Sequence, residues 1–290
     1  MKKSRISMFL AASTGAFVLL LSGCTSSPSP SPSPTPTATP TTASPTPSAT
    51  PTPTVVTRAY AQYWVADTAR GFRLYREFVR LEVVPDPIAG ALKALIAGAP
   101  KDTDYVTLWP KETKINSVVV VGNQATVDLT LGKMNVGSEA ESLAIAQLVW
   151  TATAANTKVK KIQLTVDGKI VESIAGHVDA TKPFTRGLTY DVLAPVWITS
   201  PEEGALVSAQ GFRLSGMAST FEANVAWKVF QNGKLVKQGS TTAAQAAPAW
   251  KPWSVAIPGL TPGKYIFIAM EFSAKDGSLV AQDTKSATLT

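Results

Sequence analysis

The sequence predicts two folded domains of different class: an α+β domain over residues 55–190 and an all-β sandwich over residues 191–290, both behind a disordered tether. Three observations predict this arrangement. Between residues 55 and 190, two helical stretches with start and stop signals interrupt runs that read as strands. From residue 191 onward, seven short strand patterns follow one another with no long helical period. Between Pro28 and Pro53, the chain alternates Pro with Ser, Thr and Ala and holds 10 of its 21 prolines. A length of 290 residues suggests about two domains. An apolar fraction of 45% is ample for two cores.

The first 23 residues read as a leader. Lys2, Lys3 and Arg5 form a positive region, and Met8 to Leu21 is an apolar run of 14 residues. A membrane-spanning helix needs about 20 residues, so this run suits a signal peptide instead. Leu21-Ser22-Gly23-Cys24 resembles the bacterial lipobox, and Cys24 is the only cysteine in the chain. The chemistry requires a thiol there, because the diacylglyceryl group is attached as a thioether before cleavage. Two acyl chains then give stable anchoring, which one chain does not. Cys24 is therefore the expected lipidation site, and the expected location is the outer face of the cell membrane.

Residues 24–54 are expected to be a tether. Such a composition buries almost nothing and cannot offset the entropy of ordering. It favours polyproline II, and the 26 residues from Pro28 to Pro53 would reach about 80 Å at most.

In the first domain, Thr57 to Ala66 and Phe72 to Val84 read as strands, with Phe72, Leu74, Arg76 and Phe78 on one face of the second. Asp86 is placed to cap a helix that starts at Pro87 and ends at Gly98, before Pro100. Ile88, Leu92, Leu95 and Ile96 form its apolar face. Ile115 to Val121 and Ala125 to Leu131 read as a hairpin around Gly122-Asn123. Ser138-Glu139-Ala140-Glu141 reads as a capping box for a second, amphipathic helix through Thr153. Lys158 to Val166 and Lys169 to Ile174 read as strands around Asp167-Gly168. The sum is about six strands and two helices, with the helices laid on one sheet face.

In the second domain the strand patterns are Pro195–Thr199, Gly211–Ser219, Asn224–Gln231, Lys234–Gly239, Ser254–Ile257, Gly263–Ser273 and Leu279–Leu289. Turns at Asn232-Gly233 and Asp276-Gly277 join neighbours. About 100 residues of short strands point to an immunoglobulin-like sandwich. It lacks the inter-sheet disulfide, since no second cysteine exists.

Two resemblances follow from particular residues. Glu141 to Trp150 (ESLAIAQLVW), Lys161 to Lys169 (KIQLTVDGK) and Gly176-His177 resemble the GerMN domain of bacterial sporulation and spore-germination lipoproteins. The Asp86-Pro87 helix and the Ala125–Leu129 strand fit the same pattern. The resemblance implies an α+β fold akin to ring-building modules, and no catalytic residue set comes with it. Thr199-Ser200-Pro201, Phe221 to Trp227 (FEANVAW) and Glu271 to Ser278 (EFSAKDGS) resemble the Gmad2 domain, the immunoglobulin-like domain of spore germination proteins.

Composition bears on function mainly by what it disfavours. The net charge of +7 falls to +4 without the leader, too little to point to nucleic acid. The single histidine, His177, has no HxxxH, HxxE or CxxC spacing around it, and no G-x-S-x-G elbow is present. His177 is expected to be structural, at a strand end. The acidic pairs Asp102 with Asp104 and Glu202 with Glu203 would serve glycoside hydrolysis only if two carboxylates faced a cleft. No metal site and no cofactor is expected. Trp250 and Trp253, flanking Lys251-Pro252, read either as a ligand platform or as caps on the sandwich core. Glu222, Asn224, Glu271 and Lys275 would supply polar contacts if they converged there. The expected role is binding or assembly at the envelope, without enzymatic activity. The expected partners are the membrane through the lipid anchor, cell-wall glycan or envelope proteins, and further copies through the first domain. A peptidoglycan-active enzyme, or an accessory to one, is the alternative.

Overall fold

The computed structural model describes residues 56–290. The leader, Cys24 and the tether lie outside the described residues. Residues 56–290 belong to one compact unit.

The first domain opens with a long two-stranded ribbon. Strands β1 (Thr57–Thr68) and β2 (Gly71–Glu82) pair antiparallel along their full length, from Thr57↔Glu82 to Thr68↔Gly71 at the tip. On one face Ala61, Tyr63 and Val65 lie opposite Phe78, Arg76 and Leu74; on the other, Gln62 and Trp64 lie opposite Glu77 and Tyr75. The expected apolar face of β2 holds only at its centre. Leu74 is fully buried, but Phe72 and Phe78 are 47% and 39% exposed, because the ribbon projects beyond the elements that cover it.

Helix α1 (Pro87–Ala97) keeps the expected punctuation. Asp86 Oδ1 accepts from the Ile88 and Ala89 amides, and Gly98 closes the helix in the left-handed conformation, φ +64°. Ile88, Leu92, Leu95 and Ile96 are buried. A three-stranded sheet follows in the order β3 (Lys114–Val121), β4 (Gln124–Thr130), β5 (Lys161–Val166). The β3–β4 pair is antiparallel around the expected Gly122-Asn123 turn, and β4–β5 is parallel. Helix α2 (Ser138–Ala155) makes the crossover between β4 and β5.

Two expectations fail at α2. No capping box forms: the N-cap is Gly137, without a side-chain cap bond. Nor is the helix amphipathic, since Leu143, Ile145, Gln147, Leu148, Trp150 and Thr151 are all buried. The physical reason is that α2 has neighbours on several sides, and its polar residues bond to them. Thr151 Oγ1 accepts from the Tyr63 amide at 3.2 Å, and Gln147 Nε2 donates to Tyr63 O at 3.1 Å and Val106 O at 3.2 Å. Helix side chains thus satisfy backbone groups of β1 that no further strand pairs. The domain has five strands in two sheets, rather than six in one. The expected Lys169–Ile174 strand is absent: only a Val166–Lys169 bridge forms, and the chain continues irregularly to Leu188.

After a short helix α3 (Thr189–Val192), the second domain packs two sheets face to face. One holds β10 (Lys234–Thr242), β9 (Asn224–Gln231), β12 (Gly263–Phe272), β13 (Leu279–Leu289) and β7 (Ala205–Val207) in that order. The other holds β11 (Lys251–Ala256), β8 (Arg213–Ala218) and β6 (Val196–Ser200). Leu214, Val225, Val229, Phe267 and Leu289 fill the space between. Asn232 and Gly233 both have positive φ, as the two-residue hairpin requires. The three-residue β7, parallel to β13, is the strand missing from the seven expected. The Asp276-Gly277 turn is a six-residue loop, Ser273 to Ser278.

The two domains share buried surface. Trp197 on β6 belongs to the first domain's core, and Trp250 and Met217 pack against it. A polar cluster locks the junction. Lys285 Nζ on β13 donates to Asp102 Oδ2, to Tyr105 Oη at 2.8 Å and to Asp283 Oδ1 at 3.1 Å. Tyr105 Oη donates to Asp283 Oδ1 at 2.8 Å, and Asp283 Oδ2 accepts from the Ile198 amide at 2.6 Å. Tyr75 stacks on Tyr105 and donates to Gln282 O at 2.8 Å.

Candidate binding cleft at the domain junction

Beside this lock the tip of the β1–β2 ribbon, the α3 segment and the second domain enclose a cleft of about 240 Å³. The ribbon contributes Thr68, Arg70 and Arg73, the α3 segment Tyr190, and the second domain Trp250 and Glu271. A hairpin tip must leave Arg70 and Arg73 outside the core, so their cations reach solvent and the cleft together. Trp250 is partly buried with its indole stacked on Trp197, at 6.2 Å between centroids and 26° between planes. Glu271, near the end of β12, accepts from the Phe221 amide at 3.1 Å through Oε1. Burial pushes the Glu271 carboxyl above its ordinary range, against the opposing pull of the Phe221 N–H and of Arg70.

The six candidate side chains from the second domain therefore separate. Trp250 and Glu271 converge on the cleft. Trp253 does not: it sits in β11 and is 3% exposed, its ring packed over Gly216. A Cβ at Gly216 would meet that ring at 2.7 Å and Trp197 O at 1.9 Å, so only glycine admits the tryptophan. Strand alternation turns residue 253 inward. Glu222 also stays out of the cleft, exposed on a 3-10 turn with φ +53°. Asn224 and Lys275 are exposed and do not line it. Arg70, Arg73 and Tyr190 carried no sequence signal, because nothing local shows that a ribbon tip will meet a sandwich more than 100 residues away.

His177 lies in the irregular segment after β5, not at a strand end. Its Nε2 is 3.0 Å from Val136 O, and its amide donates to Glu141 Oε2 at 2.8 Å. Glu141 is fully buried, and its Oε1 accepts from the Ile174 and Ala175 amides at 3.0 and 2.8 Å. The residue expected to cap α2 instead holds a loop about 30 positions away. Among the described residues, no group of three or more His, Cys, Asp or Glu is placed to hold a metal ion. No helix among them is long and apolar enough to cross a membrane.

Comparison with known families decides the domain types. Residues 61–172 match the family model Germane, described as sporulation and spore germination. Residues 195–278 match Gmad2, described as the immunoglobulin-like domain of bacterial spore germination. The chain carries a Germane domain followed by a Gmad2 domain. Similar solved structures include the tandem GerMN domains of the sporulation protein GerM from Bacillus subtilis, at 20% identity and a TM-score of 0.40. That match covers 49% of this chain and 50% of that one, so the chain spans about half its length. A putative lipoprotein from Clostridium perfringens matches at 24% identity and a TM-score of 0.33, covering 45% of this chain and 88% of the other. The first GerMN domain of the B. subtilis protein matches at 18% identity and 0.39, covering 44% and 98%. No curated protein matches the chain.

The acidic pairs considered for catalysis lie along the contact between the Germane and Gmad2 domains. Asp102 pairs with Lys285, and Asp104 accepts from Thr284 at 2.6 Å. Glu202 pairs with Lys101 at 2.5 Å, and Glu203 accepts from the Ser286 amide at 2.7 Å. A wider hollow of about 500 Å³ over Phe230, Tyr265 and Ile266 has Lys264 as its one charged lining residue. The junction cleft, with two arginines, a carboxylate and two aromatic rings, offers more directional contacts.

Proposed function

We propose that the chain is a non-enzymatic envelope lipoprotein of germination or sporulation type, anchored through Cys24 and binding cell-wall glycan at the outer face of the membrane. The observation that carries the binding role is the convergence of Trp250 and Tyr190 with Arg70, Arg73 and Glu271 in one cleft between two interlocked domains. An indole face suits the apolar face of a sugar ring, while guanidinium and carboxylate groups suit hydroxyls and acidic substituents. Trp250, stacked on Trp197, and Glu271, bonded to the Phe221 amide, are held in place before binding, which lowers their ordering cost. Glu271 is the one acidic residue lining the cleft, and two-carboxylate glycoside hydrolysis needs a facing partner. The geometry of this cleft therefore supports binding over cleavage.

Sedimentation of the full-length chain with purified cell-wall sacculi tests the cleft. Trp250→Ala is expected to weaken retention by about tenfold, the scale of losing one well-packed aromatic contact. Unchanged retention by a variant that still melts cooperatively would rule the cleft out. The anchor has a separate test. Cys24→Ala is expected to abolish incorporation of labelled palmitate and to disturb processing of the leader; persistent labelling would contradict the lipobox assignment.

A further inference from the structure

On another surface of the Germane domain, a groove of about 510 Å³ carries three cations and no carboxylate. Its floor comes from β1 with Ala61 and Tyr63, and from the last turn of α2 with Thr153 and Ala154. Its charges are Arg76, Lys160 and Arg186. In the β1–β2 register Arg76 lies directly opposite Tyr63, so the two share a face. Its guanidinium lies 4.9 Å from the Phe78 ring centroid and 5.6 Å from that of Trp197, and its buried Nε has no hydrogen-bond partner. Arg186 lies over Trp150 at 4.3 Å; its Nε donates to Thr153 Oγ1 at 2.8 Å and its Nη2 to Trp150 O at 3.2 Å. Lys160 Nζ reaches only Thr157 O, at 2.6 Å.

This is an unbalanced arrangement. Among the described residues, none of these three cations is in an ion pair. The cleft behind Arg76 holds Glu77, Glu202 and Glu203, yet Arg76 pairs with none of them. Partial desolvation, together with repulsion from Arg76 and against the favourable pull of Tyr63, holds the Arg186 pKa below the usual range for an arginine. Folding brings like charges into one groove, at a cost a bound anion would offset. Two guanidinium forks and an ammonium lining one groove match the several acceptor oxygens of a phosphate group better than a lone carboxylate. The aromatic and aliphatic floor suits the glycerol or sugar carbons attached to it.

We infer that the groove between β1–β2 and the C-terminal end of α2 is a binding site for a phosphodiester, with Arg76, Lys160 and Arg186 as its ligands. Two envelope sources carry this chemistry, an anionic phospholipid headgroup and a phosphodiester wall polymer. The site is independent of the glycan cleft, and shares none of its residues.

Isothermal titration of the full-length chain in neutral detergent tests it, with inorganic phosphate, short-chain phosphatidylglycerol and poly(glycerol phosphate) as probes. Saturable binding is expected, weakened about tenfold by Arg76→Gln and about threefold by Lys160→Gln, and falling with added salt. Lys234→Gln, on an exposed strand end, removes the same charge elsewhere and is expected to leave binding unchanged. Lys160→Gln keeps the test decisive if Arg76→Gln fails to fold, because the Lys160 ammonium bonds only a surface carbonyl. Preference for the lipid probe would assign the headgroup source, and preference for the polymer would assign the wall source. The proposal is overturned if no probe binds saturably, or if Lys234→Gln weakens binding as much as Lys160→Gln does.

Discussion

Lys285→Met is expected to destabilise the described unit by roughly 3–5 kcal/mol, the usual cost of removing one partner from a buried ion pair. The ammonium bonds Asp102, Asp283 and the Tyr105 hydroxyl at once, and both carboxylates are buried. Without it, two acids face each other at the seam between the domains, with no cation to offset their desolvation. In a unit of this size the loss should lower the melting temperature by on the order of 10 °C. Limited proteolysis should report cleavage in the Lys101–Tyr105 loop before global unfolding. A melting temperature within a degree or two of wild type would contradict the role given to this cluster. Adding Asp102→Asn and Asp283→Asn to Lys285→Met should recover part of the loss, because neutral groups tolerate burial better than unpaired ions.

The same cluster fixes the pH dependence. Burial works against the Lys285 ammonium, but Asp283 and Asp102 outweigh it and hold its pKa above the ordinary value. Burial, reinforced by Asp283, raises the Tyr105 and Tyr75 hydroxyls well above theirs. A group whose folded pKa is raised adds stability that is complete below its unfolded pKa and is lost as pH rises through the folded one. For lysine and tyrosine the unfolded values lie near 10, so stability should decline above about pH 10. Melting temperatures followed from pH 8 to pH 11 should show this decline, and Lys285→Met should flatten it.

Glu141→Ala carries the second large effect. Three backbone amides, of Ile174, Ala175 and His177, would lose a shared anionic acceptor in a buried place. A buried unsatisfied donor costs about 1–3 kcal/mol, so a total of roughly 2–4 kcal/mol is expected after some relaxation and water entry. Hydrogen exchange should accelerate at those three amides before it does in β4 or β5. Glu141→Gln keeps an acceptor oxygen and should retain part of the stability. Equal exchange rates in wild type and Glu141→Ala would show that other contacts hold the segment.

These effects mark the border between what local sequence carries and what it does not. Asp86, Pro87 and Gly98 bound α1 as their chemistry requires, because capping involves only residues within one turn. Gly122-Asn123 and Asn232-Gly233 place both hairpins, because two-residue turns need φ values that few residue types accept. Alternation places Val225, Trp227 and Val229 inside the sandwich. Glu141 shows the reverse. Its position four residues into α2 allows a capping bond, but a fully buried carboxylate goes where unpaired amides are available, and those lie in the loop after β5. Gln147 and Thr151 likewise gave α2 a polar stripe whose use is visible only once β1 lies beside it.

By itself, the order of residues determined the two domain types, the caps of α1, both two-residue hairpins and most strands, since each rests on interactions a few residues apart. Tertiary structure decided everything that joins distant segments. It sent Trp253 into the core and left Trp250 beside Glu271, brought Arg70 and Arg73 to the same cleft, and set Lys285 between Asp102 and Asp283. Burial and charge pairing depend on which surfaces meet, and that choice is settled by the packing of the whole chain rather than by any one stretch of it.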